Sequence, residues 1–285
     1  MAQTRKLLRQ YGLRARKGLG QHFLVDDAVL ETIVAAAALT PGDTVVEVGP
    51  GLGVLTKELA ARAGRIIAVE LDTGLASVLE KTIAPFGNAF IRNEDVLDID
   101  PASLFGGLSQ GPPPPMESRK VVANLPYYIT SPVIRHFLEA SVKPGVMVLM
   151  VQKEVAETIV AAPGRRSVLS ISVQFYGEPS IVSVVPADSF YPAPEVDSAI
   201  LRIDVYPHPT VDVDEEGFFR LVRAGFSASR KQAANSLAQG LGLPRTETAA
   251  LLEKAGIETR RRAETFTIEE WATLWKVYTE RHEQQ

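Results

Sequence analysis

The sequence contains no cysteine, which excludes disulfides, thiolate zinc sites and a cysteine nucleophile. Histidine is scarce, and the four present, at positions 22, 136, 208 and 282, show no metal-ligand spacing, so no metal centre is expected. No apolar run approaches the ~18 residues of a membrane helix, and the basic beginning of the chain is not followed by the apolar stretch of a signal peptide. The expectation is a cytoplasmic protein without a membrane partner. Acidic residues are missing from two stretches. Residues 1 to 17 carry Arg5, Lys6, Arg9, Arg14, Arg16 and Lys17 without one acid, and between Glu216 and Glu247 the charges are Arg220, Arg223, Arg230, Lys231 and Arg245. The formal net charge is -4, but phosphates respond to local charge, so both stretches are candidate RNA-facing surfaces. Arg14, Arg16 and Lys17 lead the first, and Arg223, Arg230 and Lys231 the second.

What is present is enough apolar residue for a packed core, 46% of 285 residues. After a helix over residues 27 to 39, short apolar segments (TVVEV, RIIAVE, AFIR, KVVAN, VMVLMV) alternate with helical ones. That alternation predicts a parallel sheet with helices on both faces. GGLSQGPPPP, 106 to 115, reads as a surface loop, and PSIVSVVP and VDSAILRIDVY read as two further strands. Beyond PHPT, 207 to 210, the spacing becomes helical throughout, which places a domain boundary near residue 207: a sheet domain over 1–206 and a helical domain over 207–285.

VVEVGPGLGVLTKEL runs from a strand through Gly49, Gly51 and Gly53 into a helix, so that backbone can bend tightly against a ligand near the helix start. A dinucleotide fingerprint would need glycine at 54, where Val54 stands, and the turn therefore favours a nucleoside ligand. The next strand ends at Glu70, followed by Leu71, where a carboxylate is placed for ribose hydroxyls. The third is followed by Glu94, Asp95 and Val96, placed for an adenine amino group. Three strand ends thus meet at the crevice where open α/β sheets bind ligands.

VVANLPYYIT, 121 to 130, ends the fourth strand with Asn124, Leu125, Pro126 and Tyr127. Beside a methyl donor, the Asn124 side-chain oxygen and the Leu125 carbonyl can accept hydrogen bonds from an exocyclic amine and hold it at the methyl. Two such acceptors favour the pyramidal nitrogen that attack requires, and positioning supplies the rate without a strong base. Pro126 stiffens the turn, and Tyr127 can stack on an extruded base. The residues alone point to an amino-methyltransferase with RNA-facing basic surfaces.

With the glycine turn, N-L-P-Y resembles the S-adenosylmethionine-dependent RNA adenine-N6 methyltransferases. A-R-K-G-L-G-Q-H-F-L (15 to 24), Q-K-E-V (152 to 155), F-Y-P-A-P-E-V-D-S-A-I (190 to 200) and F-S-A-S-R-K-Q (226 to 232) are similar to the bacterial small-subunit rRNA adenine dimethyltransferases within that family. The resemblance implies a Rossmann-like methyltransferase sheet with a smaller all-helical C-terminal domain. It implies S-adenosyl-L-methionine as cofactor, and dimethylation of N6 on two adjacent adenines near the 3′ end of small-subunit rRNA, in a partly assembled 30S subunit, by a monomer. It also implies that Gln21, His22 and Leu24 cover the methionine end of the donor, that Gly49 and Gly51 approach it, and that Glu70 and Asp95 hold its ribose and adenine. Asn124 would meet donor and target amine, and Phe190 would face Tyr127 across the base. His22 and Tyr128 stand where relatives often have Asn, and Glu195 where many have Lys. A ribosome-assembly factor whose binding outweighs its catalysis shares the basic tail. A nicotinamide oxidoreductase shares the sheet but gives N-L-P-Y no task.

Overall fold

The computed structural model describes residues 20–106, 112–228 and 230–282. Asp26 opens the first helix: its carboxylate accepts from Ala28 N at 3.0 Å and Val29 N at 3.4 Å, satisfying amides that a helix start leaves unpaired. The helix that follows, α1 (Asp27–Ala37), buries Leu30, Ile33, Val34 and Ala37, the stripe that helical spacing predicts. That stripe joins Val45, Ile66, Val122, Val148 and Ile200 in the principal core, where each fully buried aliphatic side chain is worth about 1.5–3 kcal/mol.

The strands carrying those residues follow the predicted alternation. In chain order come β1 (Phe23–Leu24), β2 (Thr44–Val48), α2 (Val54–Ala60), β3 (Arg65–Val69), α3 (Thr73–Ile83), β4 (Ala89–Arg92), α4 (Pro101–Gly106), β5 (Arg119–Asn124), α5 (Thr130–Leu138), β6 (Val146–Gln152) and α6 (Lys153–Ile159). After α7 (Val168–Tyr176) come β7 (Gly177–Val185), β8 (Phe190–Tyr191) and β9 (Ser198–Val205). Among the described residues the main sheet has seven strands in the order β4-β3-β2-β5-β6-β9-β7. The pairs β4/β3, β3/β2, β2/β5 and β5/β6 are parallel, and β9 runs antiparallel to β6. The chain winds outward from β2 through β3 to β4, then crosses over to β5. The strand order therefore reverses between β2 and β5, and a crevice opens beyond their carboxyl ends.

At the opposite end of β5, Lys120 is only 6% exposed. Its ammonium donates to the Ala37 and Ala38 carbonyls at 2.9 and 2.6 Å and pairs with Asp43 at 2.9 Å. One side chain thus closes the end of α1 and ties it to the sheet.

The chain forms two compact units. The described residues up to Ala156 and Glu178–Pro207 make the sheet unit, while Glu157–Gly177 and the residues from His208 onward make the other. The second unit holds α7, α8 (Glu215–Gly225), α9 (Ala233–Leu241), α10 (Arg245–Lys254) and α11 (Ile268–His282). Phe175 of α7 stacks on Phe218 at 5.2 Å and meets Phe219 edge-on at 5.1 Å, which draws a segment from before the expected boundary into the helical unit.

Candidate active site

The crevice is a cleft of about 270 Å³ in the sheet unit, lined by the ends of β2, β3, β4 and β5 together with residues 20–24. Its floor is the glycine turn. Gly53 has φ 77°, and a Cβ there would fall 2.7 Å from Leu79 Cδ1, so the position demands glycine twice over. Gly51, also at positive φ, donates its N–H to Glu70 Oε2 at 3.0 Å. Asp72 N donates to the other oxygen at 2.9 Å. Glu70 is not a helix cap, because Asp72 fills that place for α3 by accepting from Gly74 N and Leu75 N. Each Glu70 oxygen keeps acceptor capacity for a ligand hydroxyl. Burial pushes its carboxyl above the ordinary range, only partly offset by the backbone donors at Asp72 and Gly51.

Asp95 Oδ1 accepts from Leu97 N at 3.0 Å and caps the short turn Val96–Asp98, while Glu94, which also lines the cleft, pairs with Arg92 at 2.6 Å. Asn124, at the end of β5, donates Nδ2–H to the His22 carbonyl at 3.0 Å. That assigns the amide orientation and leaves Oδ1 as the atom offered to a ligand. Leu125 is fixed by its N–H to Met150 O at 3.2 Å. The Tyr127 hydroxyl hydrogen-bonds Ser198 Oγ at 2.8 Å, and burial pushes its pKa up, so Tyr127 is a ring surface and not a base. His22 stacks on that ring at 5.7 Å and 23°, and its Nδ1–H donates to the Pro192 carbonyl at 2.8 Å.

The cleft thus gathers Gln21, His22, Leu24, Gly49, Gly51, Glu70, Leu71, Asp95, Val96, Asn124, Leu125, Pro126 and Tyr127. It does not gather Phe190. That ring is 2% exposed inside the principal core, because the antiparallel pairing of β1 with β8 sets it opposite Leu24, whereas Tyr191 pairs with Phe23. Alternation along a strand sends neighbouring side chains to opposite faces, and Phe190 takes the core face. The expectation that Phe190 faces Tyr127 across a base is corrected accordingly. Arg14, Arg16 and Lys17 lie outside the described residues. Arg223, on the outer face of α8, and Arg230 and Lys231, just before α9, are exposed and form no ion pair with a described residue.

Glu47 is a lining residue that the sequence reading passed over. It is 1% exposed, and its Oε2 has no hydrogen-bond partner among the described residues. Burial, reinforced by the nearby Glu70 and only partly offset by Thr56, pushes its carboxyl up to about 8. An acid inside the apolar strand T-V-V-E-V, between Val46 and Val48, was the signal available. No group of acids and histidines among the described residues is arranged to hold a metal ion.

A family model described as ribosomal RNA adenine dimethylase matches residues 12–280. A ribosomal RNA small subunit methyltransferase A from Dehalococcoides mccartyi is 54% identical over 281 residues, covering 98% of this chain and 94% of that protein. One from Moorella thermoacetica is 46% identical and covers 95% of each. Among solved structures, the 23S rRNA methyltransferase ErmE is 29% identical with a TM-score of 0.69, covering 90% of this chain and 98% of its own. A dimethyladenosine transferase from Plasmodium falciparum shares the fold at 22% identity, with a TM-score of 0.75 over 92% of this chain and 98% of its own. With the family match spanning nearly the whole sequence and a cleft built from the residues that carry it, the chain belongs to the ribosomal RNA adenine dimethylase family, whose members depend on S-adenosylmethionine.

Proposed function

We propose that the protein transfers two methyl groups from S-adenosyl-L-methionine to N6 of each of two adjacent adenines near the 3′ end of small-subunit rRNA, acting in the cytoplasm as a monomer on a partly assembled 30S subunit. The observation that carries this reading is Asn124, whose amide is tethered by the His22 carbonyl so that Oδ1 faces the cleft shared with Glu70 and Asp95.

The donor supplies an electrophilic methyl group. Glu70 holds its ribose hydroxyls with Leu71 alongside, Asp95 and Val96 hold its adenine, and Gly49 and Gly51 let backbone lie against it. Gln21, His22 and Leu24 close over its methionine end. The Glu47 carboxyl, buried with Oε2 unpaired and holding its proton up to about pH 8, offers the donor a further hydrogen-bonding group. On the substrate side, Asn124 Oδ1 and the Leu125 carbonyl accept the two N6 hydrogens and orient the nitrogen lone pair at the methyl. Pro126 fixes the turn and Tyr127 stacks on the base. As the new N–C bond forms, the methyl–sulfur bond of the donor would break with its electron pair left on sulfur, giving S-adenosylhomocysteine, while the nitrogen gains positive charge and then releases a proton to solvent. A fixed acceptor facing that developing charge is worth about a hundredfold or more in rate. Arg223, Arg230 and Lys231 supply phosphate contacts, joined by Arg14, Arg16 and Lys17.

Single-turnover transfer from radiolabelled donor to small subunits lacking these methylations tests the reading. Asn124→Ala should lower the transfer rate at least about a hundredfold while filter binding of the subunits stays near wild type. Near-normal transfer by the folded variant would refute the proposed role of Asn124.

A further inference from the structure

Among the described residues, Leu71, Tyr128, Val182, Val184 and Val196 are large apolar side chains left exposed. Leu71 adjoins Glu70 and belongs to the donor side of the cleft. Val182 and Val184 share one face of the edge strand β7, and nothing marks what would cover them. Tyr128 is different, for its ring lines the same cleft as Asn124 and is yet 56% exposed. Gly20 stands beside the ring edge, where an added Cβ would lie 3.4 Å from Tyr128 Cδ1, so glycine at this position leaves that edge of the ring uncovered. Tyr127–Ile129 is a 3₁₀ turn, in which successive side chains diverge by about 120°. Tyr127 points inward to His22 and Ser198, and Tyr128 points out.

We propose that Tyr128 is a second stacking platform, which takes the unpaired base next to the target adenine. The inference rests on the adenine-methylation reading above. Extruding the target onto Tyr127 strips its neighbour of a stacking partner, at a cost of about a few kcal/mol in the RNA. An exposed ring that lines the cleft one residue from Tyr127 offers the neighbour a replacement surface. A ring face also suits two adjacent targets. When the second adenine enters the cleft, the first has lost both N6 hydrogens and can no longer donate through them, but its face stacks as before. A hydrogen-bonding side chain at this position would distinguish the two states, and a ring does not.

The test uses the full chain and small subunits reconstituted with rRNA holding one target adenine, whose neighbour on either side is intact or abasic. For the wild type, an abasic neighbour on one side should raise KM about 5- to 150-fold, the range expected for loss of one base–aromatic stack. Tyr128→Phe should keep that dependence. Tyr128→Ala should raise KM on intact RNA by a similar factor and lose no more when the neighbour is removed, with affinity for S-adenosylhomocysteine unchanged in all three proteins. If Tyr128→Ala remains as sensitive to the abasic neighbour as the wild type, or if the wild type is indifferent on both sides, the platform is overturned. If the wild type methylates neither RNA, the underlying methylation reading falls, and the platform with it.

Discussion

At the scale of single residues, the two buried acids of the cleft make opposite demands on their surroundings. Glu70 is held by two backbone donors, whereas Glu47 Oε2 has none. The folded protein therefore binds the Glu47 proton more tightly than the unfolded chain does, with the carboxyl raised from 4.5 to about 8. A raised pKa contributes stability that is fully present below about pH 4.5 and is lost as pH climbs through about 8. Glu47→Gln should flatten the fall in urea midpoint across that window, and an undiminished slope would show that Glu47 is not its source. Glu70→Ala should weaken S-adenosylhomocysteine binding by about 1.5–3 kcal/mol, the scale for hydrogen bonds to a charged group. Calorimetry reads this directly, and unchanged affinity would move the ribose site elsewhere. Glu70 was legible in the sequence because it ends a strand beside a glycine turn. The isolation of Glu47 was not, since it depends on which side chains surround it.

At the scale of elements, the boundary of α1 depends on a residue far along the chain. Lys120 binds the last carbonyls of that helix and pairs with Asp43 while itself buried. Removing one partner of such a pair leaves the other charge stranded, so Lys120→Ala should cost about 3–5 kcal/mol in chemical denaturation. A loss below about 1 kcal/mol would mean that water solvates Asp43 and the helix end in its place. The strands were legible because their apolar runs are local. The pairing of β1 with β8 was not, because it joins Phe23–Leu24 to Phe190–Tyr191 across most of the sheet unit, and it is this pairing that carries the Phe190 ring into the core. For the same reason local patterning leaves α7 with the sheet: its partners Phe218 and Phe219 lie beyond β9.

At the scale of the molecule, a net charge of -4 coexists with exposed cations on the helical unit. Arg223, Arg230 and Lys231 form no ion pairs with described residues, which leaves them available to phosphates. Replacing all three with Ala should weaken subunit binding and lower the slope of log K against log salt by about two to three, because each phosphate contact releases roughly one counterion. Affinity for S-adenosylhomocysteine should hold. A salt slope equal to that of the wild type would make these cations ordinary solvated surface.

Taken by itself, the sequence determined the alternation of strands and helices, the glycine turn and the acids and amide at the strand ends, because strand period, turn chemistry and helix spacing are all written in residues close along the chain. Only the tertiary structure decided which way Asn124 presents its amide, that His22 lies on Tyr127, that Phe190 supports the site from the core, and that Tyr128 stands open beside it. Each of these depends on contacts or packing between segments distant in sequence. Local patterning sets which face of an element is apolar, but not which distant segment will cover it.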